Sequence, residues 1–138
     1  MNYDYYNQIA AYTLIRIILG LLFLLQGYDK VFRIKMSGII DAYRWPSPQP
    51  FIPKAVVWAG ACYTSYCELI CGALLLTGLF TNYALYLLAL DLIIATIGLG
   101  LQNPEFDTRM FFSRLILLVF LLLCPLNWNL ISIDNLFK

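Results

Sequence analysis

Long apolar blocks, separated by short polar connections, dominate the pattern of the chain. A membrane-spanning helix needs about 20 mostly apolar residues, and four blocks qualify. They run over residues 9–28, 55–80, 83–101 and 110–126. The fourth block is the shortest, and Pro125 near its end predicts a stop or a kink there. The pattern therefore predicts an all-α fold, an integral membrane antiparallel four-helix bundle that forms a single domain over residues 1–138.

The connections between the blocks order the predicted helices. Thr81-Asn82 is so short that the second and third spans must be antiparallel neighbours. The third and fourth spans are joined by residues 102–109. The long connection, residues 29–54, contains Trp45-Pro46-Ser47-Pro48-Gln49-Pro50. Its prolines predict a rigid turn instead of a continuous helix, and residues 36–43 ahead of it predict a short interfacial helix.

The basic residues predict the orientation of the chain. The first and third loops together carry six Lys and Arg residues, whereas the opposite side carries only Lys138. By the positive-inside rule, the long first loop is predicted to be cytoplasmic and both termini outside. Residues 1–11 lack the positive segment of a cleavable signal peptide, so the first span is predicted to be retained.

Composition supports the membrane class and excludes several others. Of the 138 residues, 62% are hydrophobic and 12% are charged, whereas soluble domains average about 45–50% and about 25%. A net charge of +1 provides no field to attract nucleic acid. The chain has no histidine, which excludes His-ligated haem or zinc and nucleophiles activated by histidine. No intrinsic cofactor and no metal site are predicted, and the four cysteines are interpreted as small packing residues.

One ionisable residue lies in each predicted span. These residues are Arg16, Glu68, Asp91 and Arg114. An unpaired charge at the centre of a membrane helix costs about 2.5–3.5 kcal/mol, and two positive and two negative charges sum to zero, so we expect a buried polar cluster with internal pairing. Depth along the helices predicts that Arg16 reaches Asp91 or Glu68. Arg114 is predicted either to reach Glu68 or to extend to the inner interface.

Small and hydroxyl side chains share the helix faces of these charges. Gly20 follows Arg16 by one turn, and Thr64 and Gly72 flank Glu68. Such residues allow close helix packing, or they could line a pocket, and both interpretations stay open. Asp29 and Lys30 are assigned to the loop side of the first span.

Two motifs carry a family resemblance. The first span reads Arg16-Ile-Ile-Leu-Gly20-Leu-Leu-Phe23-Leu-Leu-Gln-Gly27-Tyr-Asp-Lys30. The second reads Glu68-Leu-Ile-Cys-Gly72-Ala-Leu-Leu-Leu-Thr-Gly78-Leu-Phe-Thr81. In these motifs, in length and in the order of spans, the chain resembles the DoxX-like family of small four-helix bacterial membrane proteins. The resemblance places Arg16, Lys30 and Glu68 in the family pattern.

The resemblance implies a location in the bacterial cytoplasmic (inner) membrane and an association with redox systems. Some family members are subunits of thiosulfate:quinone oxidoreductases, and others tether soluble redox partners to the membrane. The first hypothesis is therefore a non-catalytic subunit of a redox or respiratory complex, whose polar cluster contacts a quinone or a lipid. The alternatives are a small lipid or solute carrier and a purely structural assembly subunit. The expected partners are membrane lipid and other proteins, without nucleic acid, and the chain alone is not expected to be an enzyme.

Overall fold

Helices account for the regular structure of the part of the chain that the computed structural model describes. Residues 3–35, 37, 38, 41, 53–100 and 108–135 are described. The four long helices within these ranges are α1 (Tyr3–Tyr28), α2 (Lys54–Thr77), α3 (Thr81–Gly100) and α4 (Thr108–Leu123). Two short 3-10 helices follow, Leu126–Trp128 and Ile133–Asn135. The predicted all-α membrane bundle is confirmed.

Three of these helices are long and apolar enough to cross a membrane. The qualifying segments are Tyr3–Ile34, Ala55–Thr77 and Thr81–Gly98. The fourth helix contributes a shorter apolar stretch, Phe111–Leu123. Side chains such as Leu14, Ile70 and Ile93 are exposed on the outside of the bundle, where acyl chains would cover them. The chain is therefore a multi-pass membrane protein.

The first helix is longer than the apolar block predicts. It begins at Tyr3, before Ile9, and continues beyond Tyr28 as a π-helical segment, Asp29–Ile34. The sequence of this segment has no helix breaker, and an ion pair of 3.2 Å between Arg33 Nη1 and Asp29 Oδ1 joins residues one turn apart. Asp29 and Lys30 are therefore helical, which corrects their assignment to the start of a loop.

The long connection is described only in part. The predicted proline-rich turn over residues 45–50 lies outside the described residues, and so do residues 101–107 between α3 and α4. Of the predicted interfacial helix over residues 36–43, Ser37, Gly38 and Asp41 are described, and they are helical.

Glycines bring the backbones of α1 and α2 into direct contact. A Cβ atom placed on Gly72 would lie 2.5 Å from Leu24 N and 3.0 Å from Gly20 O. A Cβ atom on Gly27 would collide with the backbone of Leu69. Because the contacts run from Gly27 beside Leu69 to Gly20 beside Gly72, the two helices are antiparallel, and side chains on the facing surfaces meet at short range.

Gly78 ends α2 and starts the turn to α3. Its φ of 69° is left-handed, and the N–H groups of Gly78 and Leu79 donate to Leu75 O and Leu74 O at 3.3 and 3.0 Å. This is the hydrogen-bond pattern of a Schellman motif. The turn therefore occupies residues 78–80, and Thr81 is already the first residue of α3, whereas the apolar pattern predicted a second span to residue 80 and a turn at Thr81-Asn82.

The residues after α4 fold back over this turn. We call residues 124–135 the C-terminal segment. The carboxylate of Asp134 accepts hydrogen bonds from the N–H groups of Phe80 at 2.8 Å and Thr81 at 3.0 Å, and Asp134 N donates to Gly78 O at 3.1 Å. Asn129 Nδ2 donates to Thr81 Oγ1 at 3.2 Å. An aspartate distant in sequence therefore caps the N-terminus of α3, which otherwise leaves its first N–H groups unpaired.

The glycine contact predicts a large difference between two identical substitutions in α2. Gly72→Ala should lower the free energy of unfolding by about 1–3 kcal/mol, because its Cβ meets rigid backbone. Gly60→Ala should instead raise it by about 0.5–1 kcal/mol, because no atom lies within 4 Å of its Cβ position and alanine is the better helix former. Unfolding in a detergent titration measures both values. Equal effects of the two variants would contradict the contact.

The cap on α3 predicts a local loss of protection in Asp134→Ala. Hydrogen exchange at the amides of Phe80 and Thr81 should accelerate, and stability should fall by about 0.5–2 kcal/mol, the usual cost of a lost cap. Asn135→Ala is the control, since Asn135 lies in the same 3-10 helix and its side chain donates to Leu130 O at 3.2 Å instead of bonding the start of α3. Unchanged exchange at both amides in Asp134→Ala would disprove the cap.

Candidate functional site

Three ionisable residues lie at the same depth on three different helices. Counted at ~1.5 Å per residue, Glu68 is about 14 Å before the end of α2 and Asp91 is about 15 Å after the start of α3. Arg114 is about 14 Å before the end of α4 on the same count. These depths place all three near the middle of a hydrocarbon layer about 30 Å thick. Together with Lys30, they form what we call the midplane cluster.

Lys30 and Glu68 form the ion pair of this cluster. Lys30 Nζ lies 2.8 Å from both carboxylate oxygens of Glu68. Glu68 is 2% exposed and Lys30 is 20% exposed, so the pair is screened from solvent on the glutamate side. The side chain of Lys30 reaches Glu68 because Gly27, almost one turn earlier, packs against the backbone of Leu69. Lys30 thus belongs to the buried polar cluster and not to the loop side of the membrane.

Asp91 is the most enclosed member of the cluster. Its side chain is 0% exposed, and neither carboxylate oxygen has a hydrogen-bond partner in the described part of the chain. The groups that act on it electrostatically are Glu68, Cys67, Lys30 and Arg114. A buried polar group without a partner is costly. Asp91 therefore offers a hydrogen-bonding position to a group that the described part of the chain does not supply.

Arg114 faces the interior of the bundle. The carbon of its guanidinium lies 5.6 Å from the centroid of the Phe23 ring, which is a cation–π geometry. The residue is half-buried, and its charge acts on both Glu68 and Asp91. Among the described residues, Arg114 contacts the Phe23 ring and forms no ion pair with Glu68, so its reach to Glu68 stays a prediction. Two cations and two acids meet at one level.

Arg16 is buried, but it lies at a different level from the cluster. It donates to Leu75 O at 2.6 Å and to Ile131 O at 2.7 Å. The prediction from depth that Arg16 reaches Asp91 or Glu68 is therefore wrong for the described residues. The reason is that the last carbonyls of α2 lack helical partners and carry the negative end of the helix dipole. A guanidinium satisfies them. Arg16 thereby connects α1, the end of α2 and the C-terminal segment. The position beside Glu68 that was predicted for Arg16 is occupied by Lys30.

The predicted pocket-lining residues pack between helices. Gly20 and Gly72 lie at the backbone contact of α1 and α2. Thr64 is buried, and its hydroxyl donates to Ala61 O in its own helix at 3.3 Å. These residues therefore serve close packing, and the interpretation that they also line a pocket stays a prediction.

Two thiols adjoin the cluster. Cys67 Sγ and Cys71 Sγ are 3.8 Å apart on one face of α2, and Cys67 Sγ also lies 3.6 Å from Leu87 O. Both are free and buried. Within the described ranges, no group of three or more His, Cys, Asp or Glu residues is placed to hold a metal ion. The apolar-lined position of the two thiols agrees with a packing role.

Some of these relations had a signal in the sequence and others had none. One helical face of α1 contains Arg16, Gly20, Phe23, Gly27 and Lys30. The inward direction of Lys30 could therefore have been predicted if the first helix had been extended beyond Tyr28. The partners of Arg16 were not readable, because Ile131 O is 115 residues away in sequence. Carbonyl partners carry no residue-type signal.

The fold and the midplane cluster define a class: a small multi-pass helical membrane protein with opposed charges at the centre of its bundle. A family model described as DoxX matches residues 11–101, which is more than half of the chain. The chain belongs to the DoxX family. Neither the curated proteins nor the solved structures gave a match to this chain.

The Lys30–Glu68 pair predicts non-additive effects on stability. Lys30→Met should cost about 3 kcal/mol, because it leaves a buried carboxylate without its partner. Glu68→Leu alone should also destabilise. The double variant should recover most of the loss, since replacing a whole buried pair by apolar side chains is close to neutral. Arg33→Met, which breaks the exposed pair with Asp29, should change stability by less than about 1 kcal/mol. Detergent unfolding of the four variants tests the coupling, and additive losses would contradict it.

Proposed function

We propose that this protein is a non-catalytic subunit of a redox-associated membrane complex, and that its midplane cluster contacts the head group of a quinone. The complex is placed by this proposal in the bacterial cytoplasmic membrane, with both termini outside. Membership of the DoxX family supports the first part. The single observation that supports the second is Asp91, a fully buried carboxyl whose oxygens find no hydrogen-bond partner in the described part of the chain.

A quinone suits the chemistry of the cluster. Its ring oxygens accept hydrogen bonds in the oxidised form and donate them in the reduced form, while its tail dissolves in the acyl chains. Asp91 could accept from a quinol hydroxyl, and the cations Lys30 and Arg114 could donate to a ring oxygen. Hydrogen bonds that involve an ionised partner are the strong ones, and the low dielectric of the membrane interior strengthens them further. The proposal assigns the chain binding and orientation of the head group, and it leaves electron transfer to a partner subunit.

Purification from the native membrane tests both parts of the proposal. The full chain, carrying an affinity tag, is extracted in a mild detergent. Partners are identified by mass spectrometry and by flavin or haem absorbance, and quinone is extracted and quantified per mole of protein. We expect a redox partner and bound quinone. Asp91→Asn should lower the quinone content about tenfold, because a neutral amide oxygen replaces the carboxylate and accepts a weaker hydrogen bond, and it should leave the partner bound.

Asp29→Asn is the matched control for this experiment. It makes the same chemical change in an exposed carboxylate that pairs with Arg33 at 3.2 Å, so quinone and partner should both stay at wild-type levels. Quinone that is equal in Asp91→Asn and wild type would disprove the contact with the cluster. A chain that is reproducibly isolated alone would disprove the subunit role. A bound non-quinone lipid without a protein partner would favour the carrier hypothesis instead.

A further inference from the structure

A cleft lies at the end of the bundle where the C-terminal segment meets the α2–α3 turn. Its volume is about 660 Å³, within the range of about 300–1,000 Å³ that small-molecule sites occupy. Thr81 lines the cleft and is about 15 Å along α3 from Asp91 at ~1.5 Å per residue. The cleft is therefore separate from the midplane cluster.

Carboxamide side chains form one part of the lining. Asn82, Asn127 and Asn129 all contribute to it. Asn129 is only 9% exposed, and its Nδ2 donates to Thr81 Oγ1, but its buried Oδ1 has no partner in the described part of the chain. Each carboxamide offers an acceptor and a donor side by side. Adjacent hydroxyl groups of a ligand present the complementary arrangement.

Aromatic rings form another part of the lining. Tyr5, Phe80 and Tyr83 contribute to it, and the rings of Phe80 and Tyr83 are in edge contact with centroids 6.3 Å apart. The side chain of Tyr83 is 70% exposed, so its ring is available to a ligand. The face of an aromatic ring is electron-rich and attracts the weakly positive C–H groups of a saturated ring.

The charges of the lining argue against a phosphate ligand. Asp134 is the acidic residue among those that line the cleft, and its side chain already accepts from Phe80 N and Thr81 N. No Lys or Arg is among the described lining residues. A phosphate in the cleft would therefore meet an acidic side chain and no cation of the lining. A neutral ligand with many hydroxyl groups fits the amides and rings better.

We propose that this cleft binds a sugar, either free or as the head group of a glycolipid. The carboxamides would bond neighbouring hydroxyls, with Asn129 Oδ1 accepting one of them, and the aromatic rings would pack on the C–H face of the sugar. The position at the end of the bundle, where α2 stops and α3 begins, is the level at which lipid head groups lie.

Native mass spectrometry from lipid nanodiscs tests the proposal. The full chain is prepared without glycoside detergents, which would occupy the cleft, and reconstituted in phosphatidylglycerol with equal mole fractions of glucosyldiacylglycerol and acyl-matched diacylglycerol. The sugar lipid should be retained about tenfold over diacylglycerol, the ratio expected from one or two net hydrogen bonds. Asn127→Ala and Tyr83→Ala should each bring the ratio toward one.

Tyr86→Ala is the matched control. It removes a similarly exposed tyrosine, 63% exposed, from the same helix but outside the cleft, so the ratio should not change. Asn127 and Tyr83 are both exposed, so their variants should fold, which circular dichroism checks. Saturation-transfer NMR with methyl β-glucoside then separates the two sources: binding of the free glycoside supports a soluble sugar, whereas retention of the lipid alone supports a glycolipid.

Two results would overturn the proposal. The first is equal retention of the two lipids together with no signal from the free glycoside. The second is preferential retention of added phosphatidylcholine over the sugar lipid, which would indicate that the aromatic rings and Asp134 enclose a quaternary ammonium group. A ratio that stays high in both Asn127→Ala and Tyr83→Ala would also overturn it, because the sugar lipid would then be held elsewhere on the protein.

Discussion

The ion pair between Lys30 and Glu68 is the interaction around which the centre of this bundle is arranged. An ionised carboxylate at this depth is costly unless a cation reaches it, and Lys30 reaches Glu68 only because the two helices touch. Gly27 and Gly72 allow that approach, because any side chain at either position would meet the backbone of the partner helix. Packing and electrostatics therefore depend on each other: the glycines let Lys30 reach Glu68, and the ion pair offsets the cost of burying the Glu68 carboxylate.

The other buried cation has a different task. Arg16 donates to Leu75 O in the last turn of α2 and to Ile131 O in the C-terminal segment. Asp134 accepts from the N–H groups at the start of α3. A cation thus meets the negative end of one helix, and an anion meets the positive end of the next, as helix dipoles favour. The turn between α2 and α3 is held at both of its ends by residues from outside it. The midplane cluster, in contrast, contains polar atoms without a hydrogen-bond partner in the described part of the chain, most notably both carboxylate oxygens of Asp91.

Sequence reasoning reached the class of fold because hydrophobic blocks and their lengths respond directly to the membrane. It also found three of the four members of the midplane cluster, since charges within apolar blocks are conspicuous. It placed Arg16 beside Glu68, where the structure has Lys30, because the predicted first span ended at Tyr28, before the charged pair Asp29-Lys30, although the helix continues to Ile34. It missed the role of Asp134 because a cap supplied from 53 residues away leaves no local pattern. Gly78 marks the end of α2 by its left-handed conformation. The apolar block continues past it, so the prediction placed the end of the second span too late, at residue 80.

The position of Asp134 in the chain has a consequence for biosynthesis. The ribosome makes the α2–α3 hairpin long before it makes the residue that caps α3, so the hairpin must enter the membrane with those N–H groups satisfied by water or lipid head groups. Only when residues 124–135 emerge can the turn adopt its final bonds. A residue synthesised 53 positions after Thr81 therefore completes a hairpin that was inserted earlier.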